Sequence, residues 1–252
     1  MPALIDGTFN SREVAGLPLA SGGVVAGGVL YRSDALAAVT DAGAATIAHS
    51  LIGTVVDFRA DAEREQAPDR LPDHVDVVRF PMLDGAVRDS GRAERAVPSL
   101  AAVYAHLLDT HGADFAAVGR LVARPADPAR PAVLVHCTAG KDRTGVAVAL
   151  VLDAVGTARD AIVTDYLATA ANLAGAWADG MRRRIEAAGM PLTPELDELL
   201  AGTTRPAIES VFAHVDAGGG AAEYLLRHGL SAPDLDALRS RLTAPPAFPP
   251  GR

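Results

Sequence analysis

The sequence predicts an α/β fold in which helices flank a mostly parallel central sheet, followed by a C-terminal helical extension. Two observations lead to this fold class. β-Branched and apolar runs alternate with helical patterns over about the first 155 residues, which is typical of parallel strands joined by helical crossovers. After residue 157 only helical segments follow, and glycines and prolines separate them.

Four short runs have the composition of buried strands. Each is rich in β-branched or apolar residues, and glycine or proline bounds most of them. The run that precedes the cysteine is almost wholly apolar, so we expect it at the centre of the sheet. The predicted strands are Val29–Tyr31, Thr54–Phe58, Val75–Phe80 and Pro131–His136.

Helical patterns occupy the segments between and after these strands. Thr40 has the side chain of a helix N-cap, and Pro68 closes the short acidic segment that follows the second strand. The predicted helices are Thr40–Ser50, Asp61–Gln66, Ser99–Leu108, Asp114–Ala123 and Thr144–Val155.

The chain is expected to form one domain over residues 1–243. The core is predicted at about residues 10–157, and residues 158–243 are predicted to pack on it because no convincing linker separates the two parts. Residues 244–252 are rich in proline, which predicts a flexible tail.

Composition and charge exclude several classes of protein. The net charge of −8 argues against a nucleic-acid partner. The single cysteine excludes an intramolecular disulfide and a multi-cysteine zinc site. The longest uncharged stretch, residues 14–31, holds five glycines, so we expect no membrane insertion. The first residues lack the basic region of a signal peptide, so a cytoplasmic location is expected, with another export route left open.

The most informative stretch joins the apolar strand to the helix that follows it. Cys137 lies at the carboxyl end of the strand, a turn containing Gly140 comes next, and Arg143 opens the helix. Backbone N–H groups in such a turn and the positive end of the helix form an anion site. Arg143 adds a bidentate cationic fork for a phosphoryl group, and the same field favours a thiolate at Cys137. The sequence therefore predicts a nucleophile and an anion receptor in one loop.

The rest of the loop is predicted to bind the substrate phosphate. His136 is expected to orient the loop, and Thr144 to place a hydroxyl near the sulfur. Lys141 is the only lysine of the chain, and we expect its ammonium at the rim of the loop, where it could reach a second phosphate. The predicted binding residues are His136, Thr138, Ala139, Gly140, Lys141, Asp142 and Thr144. Attack by a cysteine on a phosphoryl group that Arg143 and the loop amides hold needs neither a metal nor a cofactor.

The loop carries the Cys-x5-Arg-Thr signature and resembles that of the bacterial atypical protein tyrosine phosphatases. The resemblance covers most of residues 10–170 and includes an Asn-Phe-Arg-Asp entry motif, from which Ser11 and Glu13 depart. The segments that resemble the family outside the loop are Asn10–Gly16, Leu30–Leu36, Val56–Arg59 with Glu63 or Glu65 after it, and Asp165–Leu167.

This resemblance implies a tyrosine-phosphatase-like fold and an enzyme that acts on phosphotyrosine, in some members on phosphoserine or phosphothreonine, and on phosphoinositides. It also implies a helical cover over the active site, within the extension. For the general acid that protonates the leaving oxygen, it favours Asp84, with Asp89 and Asp142 as alternatives.

Two rival functions stay open at this point. A rhodanese-like sulfurtransferase also uses a loop cysteine on an α/β sheet, although Arg143 and Thr144 disfavour it. A pseudophosphatase would only hold phosphorylated partners, although the intact Cys137 and Arg143 argue against that. Elsewhere, Asp57 and Arg59 are predicted to form a structural ion pair, and Arg182–Arg184 a solvated helix face.

Overall fold

The computed structural model describes residues 3–82, 98–189, 191–193, 196–197, 200 and 202–244. The strands are β1 (Arg12–Glu13), β2 (Val24–Val25), β3 (Leu30–Ser33), β4 (Ile52–Asp57), β5 (Asp76–Arg79), β6 (Ala132–His136) and β7 (Thr243–Ala244). The α-helices are α1 (Asp41–His49), α2 (Asp61–Gln66), α3 (Leu100–Thr110), α4 (Gly112–Ala123), α5 (Asp142–Ala154), α6 (Arg159–Leu173), α7 (Ala176–Ala187), α8 (Arg205–Asp216), α9 (Ala221–Arg227) and α10 (Ala232–Leu242).

The central sheet has five strands in the order β1-β3-β6-β4-β5, and every pair except β1–β3 is parallel. β6 is central and wholly buried, as its apolar run predicts, because both faces of the sheet are covered. All four predicted strands are confirmed, with ends shifted by one or two residues. Ser33 and Asp57 pair in register with His136 from either side, so the carboxyl ends of β3, β4 and β6 meet at one edge.

Helix α5 forms the centre of one helical layer. After its first turn almost every side chain is buried, which fits a helix that is apolar on all sides. It packs against α3, α4, α6, α8 and α9. The predicted helices are confirmed, and Thr40 caps α1 by accepting a hydrogen bond from the amide of Gly43. α5 begins at Asp142, two residues earlier than predicted.

The segment after residue 157 shares the hydrophobic core of the preceding residues. Ile208, Val211, Leu225 and Leu238 belong to the same buried cluster as the side chains of α5. The segment is not wholly helical, because β7 at its end pairs antiparallel with β2 near the start of the chain. Sequence patterns predicted neither strand, since each has two residues and depends on a partner about 220 positions away. Residues 245–252, in the predicted tail, lie outside the described residues.

In the part of the chain that the structure describes, every helix is too short or too polar to cross a membrane.

Candidate active site

The predicted phosphate loop leaves the carboxyl end of β6 and enters the first turn of α5. Gly140 has a positive φ of 65°, and a Cβ added there would lie 2.3 Å from the carbonyl oxygen of Ser33. The amide of Ala35 donates to the carbonyl of Thr138 over 3.1 Å. The backbone of the loop therefore lies in close contact with the end of β3, and its sharp turn requires glycine at position 140.

Cys137 lies at the base of this loop with only 2% of its surface exposed. The hydroxyl of Thr144, in the first turn of α5, is also buried and makes no hydrogen bond to any described residue. The structure thus places both predicted residues at the junction of β6 and α5, where the helix N-terminus favours negative charge.

Glu63 holds the guanidinium of Arg143 in a bidentate ion pair. Arg143 Nη1 lies 2.9 Å from Glu63 Oε2, and Nη2 lies 3.1 Å from Oε1. Nη1 also donates to the carbonyls of Phe58 and Met82, each over 3.3 Å. Arg143 is thereby fixed before any substrate arrives, which spares the cost of ordering a long side chain.

The carboxylate of Glu63 has further donors around it. The amide of Ala60 donates to Oε2 over 2.8 Å, and the hydroxyl of Thr138 donates to Oε1. Burial opposes the charged form, but Arg143, Thr138 and Ala60 together lower the pKa of Glu63 to about 2. The sequence pointed to a downstream glutamate without assigning its role, and the structure assigns Glu63, not Glu65, to the arginine.

Residues from the entry motif support the outer side of the loop. Asn10 Nδ2 donates to the carbonyls of Ala139 and Gly140, each over 3.1 Å, and Arg32 Nη2 donates to the Gly140 carbonyl over 2.7 Å. Asp34 accepts the backbone amide of Asn10 over 2.8 Å. These contacts fix the carbonyls of Ala139 and Gly140 to the residues around the loop.

Asp165 joins the two arginines of these motifs. Arg32 Nη1 lies 2.6 Å from Asp165 Oδ2, and Arg12 Nε lies 2.7 Å from Oδ1. Burial alone would raise the pKa of Asp165, but the two guanidinium groups outweigh it and lower that pKa. Segments that resemble the family at distant places in the chain therefore form one support around the phosphate loop.

Lys141 departs from its predicted position. Its side chain is fully buried, and Nζ donates to the carbonyl of Gly202 over 3.0 Å and lies 3.5 Å from Asp142 Oδ1. The expectation of an exposed ammonium at the rim was wrong, because the turn into α5 directs this residue toward the segment before α8. Asp142 also accepts a 2.8 Å hydrogen bond from the hydroxyl of Tyr104.

His136 and two carboxylates lie together on the inner side of the loop. His136 Nε2 is 3.3 Å from Asp69 Oδ2 and 3.8 Å from Asp57 Oδ1. These are donor types that bind metals, but Arg59 already bridges both carboxylates, with Nη2 2.9 Å from Asp57 and 2.6 Å from Asp69. The guanidinium of Arg59 therefore already lies between the two carboxylates, and the predicted Asp57–Arg59 ion pair is confirmed.

A cavity of about 490 Å³ lies between the loop and the extension. Thr138 and Glu63 form part of one wall, and Trp177, Met181 and Arg184 of α7 form another. The predicted solvated face is confirmed, since Arg183 and Arg184 are exposed and the partly exposed Arg182 pairs with Asp179 and Asp197. Helix α7 thus faces the loop across the cavity.

Two of the three candidates for the general acid, Asp84 and Asp89, lie outside the described residues. The third, Asp142, is engaged by Tyr104 and lies near Lys141.

Comparison with known proteins assigns the chain to a family. Residues 3–244 match the model of the tyrosine phosphatase family. This chain belongs to the tyrosine phosphatase family. The fold class and the family resemblance inferred from sequence are thereby confirmed, as is the enzyme class, protein-tyrosine phosphatase.

Three relatives show how far the similarity extends. The chain is 36% identical over 191 residues to the triple specificity protein phosphatase PtpB of Mycobacterium tuberculosis, covering 65% of this chain and 67% of the relative. It is 30% identical over 244 residues to a Cupriavidus necator protein whose name places it among tyrosine-protein phosphatases, covering 95% and 87%. It is 30% identical over 220 residues to a tyrosine-protein phosphatase of Nostoc commune, covering 84% and 73%.

Proposed function

We propose that the chain hydrolyses phosphotyrosine through a phosphocysteine intermediate on Cys137. The observation that carries this proposal is the loop at the end of β6, where a buried thiol, a helix N-terminus and an arginine fixed by Glu63 converge. Such a loop offers a nucleophile and a preorganised receptor for the equatorial phosphoryl oxygens.

The reaction proceeds in two displacements. The Cys137 thiolate attacks phosphorus in line, so that an S–P bond forms as the P–O bond to the tyrosine breaks and the general acid protonates the leaving oxygen. Water then attacks phosphorus, the S–P bond breaks, and inorganic phosphate and the thiolate are released. Arg143 and the loop amides stabilise the transferring group in both steps.

The nucleophile and the receptor are tested by two substitutions. Cys137→Ser should abolish turnover of p-nitrophenyl phosphate and of a phosphotyrosine peptide while phosphate binding persists, because serine offers no anion at neutral pH. Arg143→Lys should lower kcat/KM at least ~100-fold, since a point charge cannot replace the bidentate fork. Vanadate should inhibit, and EDTA should not. Near-normal turnover by Cys137→Ser would overturn the mechanism.

Asp84 remains the proposed general acid. Asp84→Asn should flatten the alkaline limb of the pH–rate profile and slow phenyl phosphate far more than substrates with a good leaving group, because only a poor leaving group needs the proton. Asp89→Asn and Asp142→Asn are the matched controls. If Asp84→Asn leaves the pH–rate profile unchanged, the general acid is instead the aspartate whose substitution removes the alkaline limb.

The range of substrates is a further part of the proposal. Phosphoserine and phosphothreonine peptides are included because the Mycobacterium tuberculosis relative is named a triple specificity phosphatase. Phosphoinositide hydrolysis rests on the family resemblance, and the burial of Lys141 removes the residue that we expected to bind a second phosphate. One panel of the three phosphopeptides and a phosphoinositide, at equal concentration, ranks these substrates by kcat/KM.

The rival functions and the cellular location have direct tests. Release of thiocyanate from thiosulfate and cyanide would support the sulfurtransferase, and tight phosphopeptide binding without turnover would support the pseudophosphatase. We keep the absence of a nucleic-acid partner in the proposal because of the negative net charge, and we keep a cytoplasmic location as an expectation. Cell fractionation tests the location.

A further inference from the structure

The cavity between the phosphate loop and helix α7 has no role in the proposed mechanism. Its volume of about 490 Å³ lies within the usual range of ligand pockets, about 300–1,000 Å³. Thr138, which follows Cys137 in the chain, forms part of its wall. Because the cavity begins beside the nucleophile, residues next to a phosphotyrosine bound at Cys137 come within its reach.

One face of α7 lines this cavity. Trp177, Met181 and Arg184 recur at the four- and three-residue spacing that places side chains on the same side of a helix. Trp177 and Met181 are half-buried, whereas Arg184 is exposed. The N-terminal segment contributes Phe9, whose surface is 39% exposed. The cavity thus combines an apolar surface with a cationic group.

The other charged side chains of the cavity already have partners within the protein. Glu63 forms the bidentate pair with Arg143, and Arg59 lies between two carboxylates. Asp34 is only 3% exposed, and its carboxylate accepts two backbone amides of the N-terminal segment. These three groups therefore have little capacity left for a charged ligand.

Arg184 differs from these groups. Within the part of the chain that the structure describes, it forms no ion pair, whereas Arg182 on the same helix pairs with Asp179 and Asp197. A guanidinium is permanently charged, and its planar fork matches the two oxygens of a carboxylate. The cavity therefore presents one uncompensated cation, which is complementary to an acidic ligand.

We propose that Arg184 is a specificity-determining residue, which binds the carboxylate of an aspartate or glutamate close to the phosphotyrosine of a substrate peptide. Phe9, Trp177 and Met181 pack against the apolar parts of the peptide between the two charges. A peptide suits this lining better than a multiply phosphorylated headgroup, which needs several uncompensated cations. The inference rests on the proposed function for the binding of phosphotyrosine at Cys137.

Pairs of phosphotyrosine peptides that differ only by glutamate or glutamine test the proposal. The exchange is made at each of the three positions on either side of the phosphotyrosine, and kcat/KM is measured for every peptide. In the wild type, glutamate at one or more positions should raise kcat/KM about 3-fold or more over glutamine, because a charge-assisted contact exceeds a neutral one. In Arg184→Gln the two peptides of each pair should react equally. A general loss of activity cancels, since both peptides meet the same protein.

Arg183→Gln is the matched control, because Arg183 is exposed on the same helix but does not line the cavity. It should keep the wild-type preference for glutamate. Arg184→Glu should reverse the preference, so that lysine at the same position is favoured over glutamine. The preference of the wild type should also weaken as the salt concentration rises, since both charges are exposed to solvent before binding.

Three results would overturn the proposal. The first is a wild type with no preference for glutamate at any position, and the second is a preference that survives in Arg184→Gln. The third is a loss in Arg184→Gln that is confined to a multiply phosphorylated inositide, because the cation would then bind a lipid phosphate and not a peptide.

Peptide binding separates this inference from the proposed function. Fluorescence anisotropy of the labelled peptides with Cys137→Ser measures affinity without turnover. The glutamate peptide should bind more tightly than the glutamine peptide in Cys137→Ser, and equally in the double variant with Arg184→Gln. Failure of the proposed function alone would appear as a wild type that does not hydrolyse phosphotyrosine, with this difference in affinity intact.

Discussion

The two carboxylate oxygens of Glu63 lie 2.9 and 3.1 Å from the two terminal nitrogens of Arg143. Glu63 belongs to the first turn of α2, and Arg143 to the first turn of α5, 80 positions later. The pair sets the orientation of the guanidinium fork, and the Thr138 hydroxyl attaches the phosphate loop to the same carboxylate. Glu63 thus fixes the orientation of the arginine that we propose binds the phosphoryl group.

Substitution of this carboxylate should damage catalysis without removing any group that contacts phosphate. We expect Glu63→Gln to lower kcat/KM by about 10- to 100-fold, because a misoriented Arg143 stabilises the transition state less well. Steady-state kinetics with p-nitrophenyl phosphate measures the loss. Glu65→Gln is the matched control, since Glu65 is exposed on the same helix. Equal activity in the two variants would contradict this role.

The same carboxylate should make the free energy of unfolding depend on pH in the acidic range. The folded-state pKa of Glu63 is about 2, below its ordinary value of about 4.3. Its contribution to the free energy of unfolding is therefore complete above about pH 4.3 and is lost as the pH falls toward 2. Urea unfolding from pH 7 to pH 2 should show a smaller stability loss in Glu63→Gln than in the wild type. Parallel curves would show that the ion pair contributes nothing.

The turn at Gly140 should tolerate no side chain. Gly140→Ala must both hold a positive φ of 65° and place a Cβ 2.3 Å from the Ser33 carbonyl, so we expect a loss of about 2 kcal/mol or more in stability. Gly156→Ala is the control, because its φ is 84° but nothing lies within 4 Å of the added Cβ. Thermal unfolding compares the two. A Gly140 variant no less stable than the Gly156 variant would refute the close approach.

Lys141 should support the phosphate loop for every substrate and should not bind a second phosphate. Because Nζ is buried against the Gly202 carbonyl, we expect Lys141→Met to lower kcat/KM for p-nitrophenyl phosphate and for a multiply phosphorylated inositide by similar factors. Arg183→Ala is a control, as Arg183 is exposed on α7. A selective loss on the inositide would mean that the ammonium leaves its buried position in the complex.

Local patterns predicted the elements of the core and the residues of the phosphate loop. The apolar run of β6, the cap at Thr40 and the Cys-x5-Arg spacing depend on neighbours within about ten residues, so they can be read from the chain itself. The strands β2 and β7 could not be predicted from local patterns. Each has only two residues, which is too short to show a periodic pattern, and each pairs with a distant part of the chain.

The sequence by itself determined the fold class, the strand-to-helix loop and the cysteine and arginine in that loop on which the proposed phosphate site depends. Tertiary structure alone decided which side chains support that loop. The bonds from Asn10 to Ala139 and from Glu63 to Arg143 join residues 129 and 80 positions apart. Only packing decided that the ammonium of Lys141 points inward, because the direction of a long, flexible side chain depends on which partners the folded chain brings within reach.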